Sequence, residues 1–323
     1  MRMGLLTVII PNYNGKQYLN DCIKSLRKQS YKDFDIIVVD NGSTDGSAEF
    51  LSKNFPEVEV IDLKDNTGFA NAVNVGIKAT DSKYAFLLNN DTMCDEKAVE
   101  SLLKVMEKKK KLFSAQAKML KMKDPHDIDD CGDLYCALGW AFTPGKDKDN
   151  RYFSSRESVT SACAGAAIYR KEYFEEVGYF DEEHFCYLED VDIGYRARLK
   201  GYANVMEPKA VVYHVGSGSS GSRYNEFKVE LTAANNIYLI YKNMPIGQIA
   251  INLPLILLGI LIKHVFYVSH GLGAAHIKGL MKGLKKIASF PEKRVSFGRK
   301  EFINSVRLQI ELWVNLGRRV LSI

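Results

Sequence analysis

The chain has 323 residues, 46% of them hydrophobic and 26% charged, which are ordinary values for a globular protein and exclude an extreme composition class. The length suits one large domain or one domain with an appendage. The net charge of +5 is uneven: residues 271–323 hold 11 Lys and Arg against 3 Glu, a net of +8, and the other 270 residues sum to −3.

The first hundred residues alternate between two periodicities. The run before Pro11 is too short for a signal peptide and lacks a small-residue cleavage site, so LLTVII (5–10) is predicted as a first strand. Leu19, Cys22, Ile23 and Leu26 then recur at helical spacing. DIIVVD (35–40) predicts a second strand, the segment around Phe50 and Leu51 a short helix, and VEVIDL (58–63) a third strand. FANAVNVGIKA (69–79) predicts a helix and YAFLLN (84–89) a fourth strand. Near-continuous apolar strands separated by helices predict an α/β fold whose parallel sheet is covered on both faces.

In such sheets ligands bind at the carboxyl ends of the strands. Those ends are polar here: Pro11-Asn12-Tyr13-Asn14, Asp40-Asn41-Gly42-Ser43, the approach to Asp65-Asn66-Thr67-Gly68, and Asn89-Asn90-Asp91. Residues 115–160 are less regular and read either as an acceptor pocket or as a surface excursion, with Trp140 as a candidate on the acceptor side. SACAGAAIYR (161–170) predicts a strand running into the helix KEYFEEVG. YLEDVDIGYRARLKG (187–201) predicts a helix start and AVVYHV (210–215) another strand. The six cysteines contain no CxxC pair and have no histidine at zinc-finger spacing, so they read as reduced, buried thiols of a cytosolic protein.

Three groups could carry chemistry. Asp91 is either a turn former or a metal-contacting acid, the latter if a diphosphate supplies further oxygens to Mg²⁺ or Mn²⁺. Glu189, Asp190 and Asp192 crowd three acids at a helix start. The helix dipole favours acids there, but three exceed what capping needs, so one could take a proton from a hydroxyl. Helical spacing places Glu189 with Asp192 on one face and Asp190 elsewhere. His214 ends a strand and reads as a core residue or a metal ligand. GSGSSG (216–221) satisfies G-x-G-x-x-G but follows a late strand and has tyrosine, not an acid, at position 241. It reads as a loop over a phosphate rather than a dinucleotide site.

VIIPNYNG, VVDNGSTDGS, NTGFANAVNVGI, LLNNDT, GAAIYRKEYFEEVGYFDE and FCYLEDVDIGYRARLKG, in this order across residues 4–225, resemble family 2 glycosyltransferases. They look most like the bacterial rhamnosyltransferase-like branch acting on cell-surface polysaccharides. The resemblance implies a GT-A fold and an inverting transfer from a nucleoside-diphosphate sugar, with dTDP-rhamnose favoured over UDP-linked sugars. It implies nucleotide contacts from Pro11, Asn12, Tyr13, Asp40, Asn66, Gly68, Asn89 and Asn90. It further implies Mn²⁺ or Mg²⁺ at Asp91 and His214, Asp190 as general base, and Glu189 on the acceptor side. Two departures stand out: Val73 occupies a position where many members carry arginine, and Asn89 and Asn90 replace the first acids of the usual DxD motif.

The catalytic domain is expected over residues 1–225 and a helical, basic, membrane-associating region over 226–323. PIGQIAINLPLILLGILIKHVFYV (245–268) is strongly apolar and followed by lysines, as a membrane-surface anchor requires, and spanning, dipping in or lying flat are all open. The partners expected are a sugar nucleotide, a glycan or lipid-linked glycan acceptor and an anionic membrane surface. That surface is the cytoplasmic face of a bacterial plasma membrane, with the protein peripheral or monotopic. Nucleic acid is not expected, because the apolar stretch beside the basic residues fits lipid better, and a homo-oligomer is compatible with this reading. A sugar-nucleotide pyrophosphorylase and a non-catalytic scaffold are the competing readings. The first lacks a basic, glycine-rich loop after strand one, and the second does not require Asp91, Asp190 and His214.

Overall fold

The computed structural model describes residues 4–216 and 224–321. Most of the GSGSSG loop therefore lies outside the described residues. Four parallel strands form one half of the sheet in the order β3-β2-β1-β4: β1 Leu6–Asn12, β2 Phe34–Asp40, β3 Glu59–Asp62 and β4 Tyr84–Leu88. Side chains of β1 alternate between two cores. Leu6, Val8 and Ile10 pack with Leu19, Ile23 and Leu26 of α1 (Lys16–Arg27), while Ile9 packs with Val73 and Ile77 of α3 (Phe69–Ala79). Both faces are dry, which is why these strands read as unbroken apolar runs. Helix α2 (Ser47–Asn54) completes the alternation.

The sheet then continues into a second half. After β5 (Thr92–Cys94) and α4 (Ala98–Lys108) comes β6 (Leu112–Lys121), then the short strands β7 (Ile128–Asp130), β8 (Leu134–Cys136), β9 (Trp140–Phe142) and β10 (Glu157–Val159). β11 (Ala166–Arg170) runs antiparallel between β4 and β6, and β12 (Ala203–His214) lies parallel to β6 on its other side. The irregular stretch expected from residue 115 thus begins inside a long buried strand. In β6 apolar Ala115, Ala117 and Met119 alternate with Ser114, Gln116 and Lys118, whose polar ends reach Asn204, Asp130 and the Asn150 carbonyl. The strand expected over 161–170 is shorter. Residues 161–165 form a turn whose Cys163, Ala164 and Gly165 border the main cleft.

Helices α5 (Phe174–Val177) and α6 (Glu189–Leu199) precede β12, and among the described residues four α-helices follow it: α7 (Glu226–Asn243), α8 (Ile246–Ser269), α9 (Gly273–Ser289) and α10 (Arg299–Val320). They are fastened to the sheet body by polar contacts. Gln248 accepts from the Tyr195 hydroxyl, Asn315 donates to the Tyr135 carbonyl and Ala137 N–H donates to the Leu312 carbonyl. Lys242 of α7 sits 2.6 Å from Asp181 and 3.0 Å from Asp192 in the interior.

Candidate active site

The carboxyl ends of β1, β4 and β12, with the start of α6, surround a cleft of about 690 Å³. The wall at the ends of β1, β2 and β4 is built on asparagines. Asn90 donates to the Asn12 side chain at 2.7 Å, and Asn12 donates to Ser43 at 3.2 Å. Asn41 grips the next loop, accepting from the backbone and hydroxyl of Thr67 and donating to Asn66 and the Gly68 carbonyl. Amides suit this work because each offers donors and an acceptor without adding charge. Two glycines are sterically required here. A Cβ on Gly15 would lie 2.0 Å from the Asn90 amide, and one on Gly68, whose φ is +89°, would lie 2.6 Å from Phe185. Tyr13, 44% exposed, stands at the mouth with its ring available for stacking.

The turn Asn89-Asn90-Asp91 is closed by Thr92, whose hydroxyl donates to the Asn89 carbonyl at 2.6 Å. Asp91 is therefore not needed as the turn former, and its carboxylate lies 3.2 Å from Nε2 of His214. The other ring nitrogen, Nδ1, lies 2.6 Å from Asp129. Burial opposes protonation of this imidazole, but hydrogen bonds to Asp129 and Asp91 override it and lift its pKa to about 9. A divalent cation taken between Asp91 and Nε2 would have to displace the proton this imidazole holds at neutral pH, and would take its remaining ligands from phosphate and water. Asp129 on the far nitrogen is the partner that orients a metal-binding histidine.

The opposite wall carries the acids. Burial raises Asp190 to about 6, although the backbone N–H of Val191 donates to it at 2.8 Å. Burial, then the neighbouring Asp190 charge, raises Glu189 well above the usual range, and its Oε2 is buried without a partner. Asp133 is raised by burial and by Asp130 and Asp190, and Asp130 accepts from Gln116 and Thr143. Lys146 reaches in to Asp129 at 3.1 Å. The backbone leading to α6 is left-handed at Phe185, Tyr187 and Leu188, an uncommon conformation for bulky residues. One amide ties three of its carbonyls: Asn235 Nδ2 donates to those of His184, Cys186 and Tyr187 at 2.8, 3.0 and 2.8 Å.

Of the residues expected from sequence, Pro11, Asn12, Tyr13, Asn66, Gly68, Asn89, Asn90, Asp91, Glu189, Asp190 and His214 line this cleft together. Asp40 and Trp140 are not among its lining residues. The Asp40 carboxylate turns back to accept from the Ser43 N–H at 2.8 Å, and the Trp140 indole donates to the Gly259 carbonyl of α8. The expected pairing of Glu189 with Asp192 is also corrected. Glu189 and Asp190 both face the cleft, because Glu189 is the first residue of α6 and leaves from the helix end. Asp192 points inward to Arg196 and Lys242. Asn41, Asp129, Asp130, Asp133 and Lys146 were missed. The cue for the three aspartates was the density of acids in DIDDCGD, which has no helix start to explain it, and Asn41 sat in a strand end already marked as polar.

Asp181, His184 and Asp192 form a second set, with donor atoms within 4.8 Å of one another and all three residues buried. Lys242 lies against both carboxylates, Lys293 bonds Asp181 and Arg196 bonds Asp192. A cation entering there would meet three positive groups already paired with the two acids. The set is a charge-compensated part of the core.

The model of the family "Glycosyl transferase family 2" matches residues 7–178. The chain is 25% identical over 240 residues to the N-acetylglucosaminyl-diphospho-decaprenol L-rhamnosyltransferase of Mycobacterium tuberculosis, covering 67% of this chain and 78% of that protein. It is 32% identical over 108 residues to the glycosyltransferase GlyG of Streptococcus pneumoniae serotype 4, about a third of either chain. Among solved structures, the mannosyltransferase PcManGT of Pyrobaculum calidifontis, in complex with GDP-Man and Mn²⁺, superposes over 99% of this chain and 83% of its own with a TM-score of 0.56 at 14% identity. GalNAc-T7 with UDP, GalNAc and Mn²⁺ gives 0.59 over 74% of this chain and 49% of its own, also at 14% identity. These two likenesses are of fold.

Proposed function

Since the chain belongs to glycosyl transferase family 2, we propose that it moves a sugar from a nucleoside-diphosphate donor to a hydroxyl of a growing, lipid-linked cell-surface glycan, inverting the anomeric carbon. dTDP-rhamnose is the favoured donor, a choice supported by the rhamnosyltransferase relative. The observation that carries the reading is Asp190, a buried carboxylate near pKa 6 in the same cleft as the Asn89-Asn90-Asp91 turn. A base in that range is ionised at neutral pH and still basic enough to accept a proton from an acceptor hydroxyl. As that proton moves to Asp190, the acceptor oxygen bonds to the anomeric carbon and the sugar–diphosphate bond breaks, so the diphosphate leaves as an anion.

The asparagine wall fixes the nucleotide loops, and Tyr13 with Pro11 flanks the nucleoside. A Mn²⁺ or Mg²⁺ held by Asp91 and His214 would offset charge on the leaving diphosphate. Glu189, raised by its burial and the Asp190 charge, stands beside Asp190 on the proposed acceptor side. The test is donor binding and hydrolysis across a panel of dTDP-, UDP- and GDP-sugars with and without Mn²⁺. One donor raising Tm in a metal-dependent way supports the transferase and names the sugar. A UDP-sugar in that place would replace rhamnose, and no nucleotide binding by folded protein would overturn the catalytic reading.

A further inference from the structure

The C-terminal helices are built inside out. In α8 the inward face carries Gln248, Asn252, Ile256 and Gly259, and two of these four are amides. The outward face carries Leu257, Leu258, Leu261, Ile262 and Val265, each about half exposed or more. A water-facing surface helix has the reverse arrangement. Helix α10 repeats it in part: Glu301, Asn304, Ser305, Gln309 and Asn315 face inward beside Leu308 and Leu312, while Phe302, Val306, Ile310 and Trp313 face out. The inward amides are satisfied against each other, with Asn252 and Gln309 exchanging bonds of 2.7 and 2.9 Å. On α9, exposed Ile277, Met281 and Leu284 run beside exposed Lys278, Lys282 and Lys285.

We propose that α8, α9 and α10 form one docking surface for an anionic lipid leaflet, with α8 lying in the plane of the interface. Helix α8, with 24 residues and a mean hydropathy of 2.1 over its most apolar window, is long enough to cross a bilayer. Yet protein holds it along its length. Gln248 bonds Tyr195, Asn252 bonds Gln309, Trp140 donates to the Gly259 carbonyl at its middle, and His264 approaches His276 of α9. Crossing would strip those partners from two amides inside hydrocarbon, which is costly. Lying flat leaves them paired and buries only the leucine face. The net charge of +8 over residues 271–323 selects an anionic partner and repels a second copy of the same surface.

The test is flotation of the full chain with vesicles of phosphatidylglycerol mixed with phosphatidylcholine, and of phosphatidylcholine alone. The wild type is expected to float with the anionic vesicles. Leu257→Glu with Leu261→Glu, both exposed and so compatible with folding, should weaken binding at least about tenfold. Lys285→Glu with Arg318→Glu should remove the preference for the anionic vesicles. With Trp140→Phe, Trp313 fluorescence should be quenched more by lipids brominated near the headgroup end of the chain than by lipids brominated at its terminus. Wild type that stays unbound to both vesicles overturns the proposal, as does a stable dimer that the leucine variant splits into monomers. Stronger quenching from the chain terminus overturns the in-plane arrangement.

Discussion

Asp190 and His214 have opposite surroundings, and each makes a separate prediction. Burial raises Asp190, so its proton-accepting form is populated above about pH 6 and lost below. The rate should therefore fall as pH drops through that value, and Asp190→Asn should lower kcat by about 10²–10⁴-fold while leaving nucleotide binding in place. A pH–rate profile and a binding titration check both. Asp129 meets His214 at its far nitrogen and Lys146 at 3.1 Å. Asp129→Asn should weaken metal affinity about 10–100-fold, read by Mn²⁺ titration, with the fold unchanged by circular dichroism. The sequence exposed Asp91, Asp190 and His214 because each ends a strand or begins a helix, where a side chain aims at the cleft. Asp129, Asp130 and Asp133 sit on short strands and turns with no periodicity to place them. Asp40 also sits at a strand tip, where one oxygen of its carboxylate accepts from the Ser43 N–H of the tight turn after it.

The loop from His184 to Leu188 owes its left-handed backbone to an element far along the chain. Asn235 of α7 ties three of its carbonyls, and no local pattern in FCYLED announces this. Asn235→Ala should cost about 3 kcal/mol, since buried carbonyls lose their donor, and should cut kcat more than it changes nucleotide affinity. Urea midpoints and steady-state rates separate the two effects. Helix α3 was legible to the residue because its apolar and polar positions follow one period. β6 was passed over although Ser114 to Met119 alternates strictly. The polar half of that alternation is buried and paired, so the strand lacks the apolar run that marked its neighbours. The turn at 161–165 was read as strand because small residues fit a strand as readily as the floor of a cleft.

Across the whole molecule, the helices after residue 225 complete the core. Burial alone would raise Asp181 and Asp192, but Lys242 and Arg196 override it and hold both carboxyls below the usual range. A chain ending at residue 225 would leave these acids with fewer partners and Tyr135, Leu199 and Val191 without their covering side chains. It should fail to give a cooperative urea transition, whereas the full chain gives one. Lys242→Met in the full chain should cost about 3–5 kcal/mol, because two buried acids lose their shared cation. Sequence composition marked the tail as basic and apolar. It did not reveal which face of each helix is outward, because that depends on partners such as Gln309 and Tyr195. One of those tail residues has a kinetic corollary. Lys286 of α9 donates to the Glu183 carbonyl and to Asn235, whose amide holds the segment carrying Asp190. A helix with exposed Ile277, Met281, Leu284 and lysines is thus two hydrogen bonds from the segment that leads to Asp190, the proposed base. Turnover number, and not apparent affinity alone, should then vary with the micelle or bilayer chosen for the assay. Rates should scale with the mole fraction of acceptor in that phase rather than with its bulk molarity, and Lys286→Met should blunt the difference between amphiphiles.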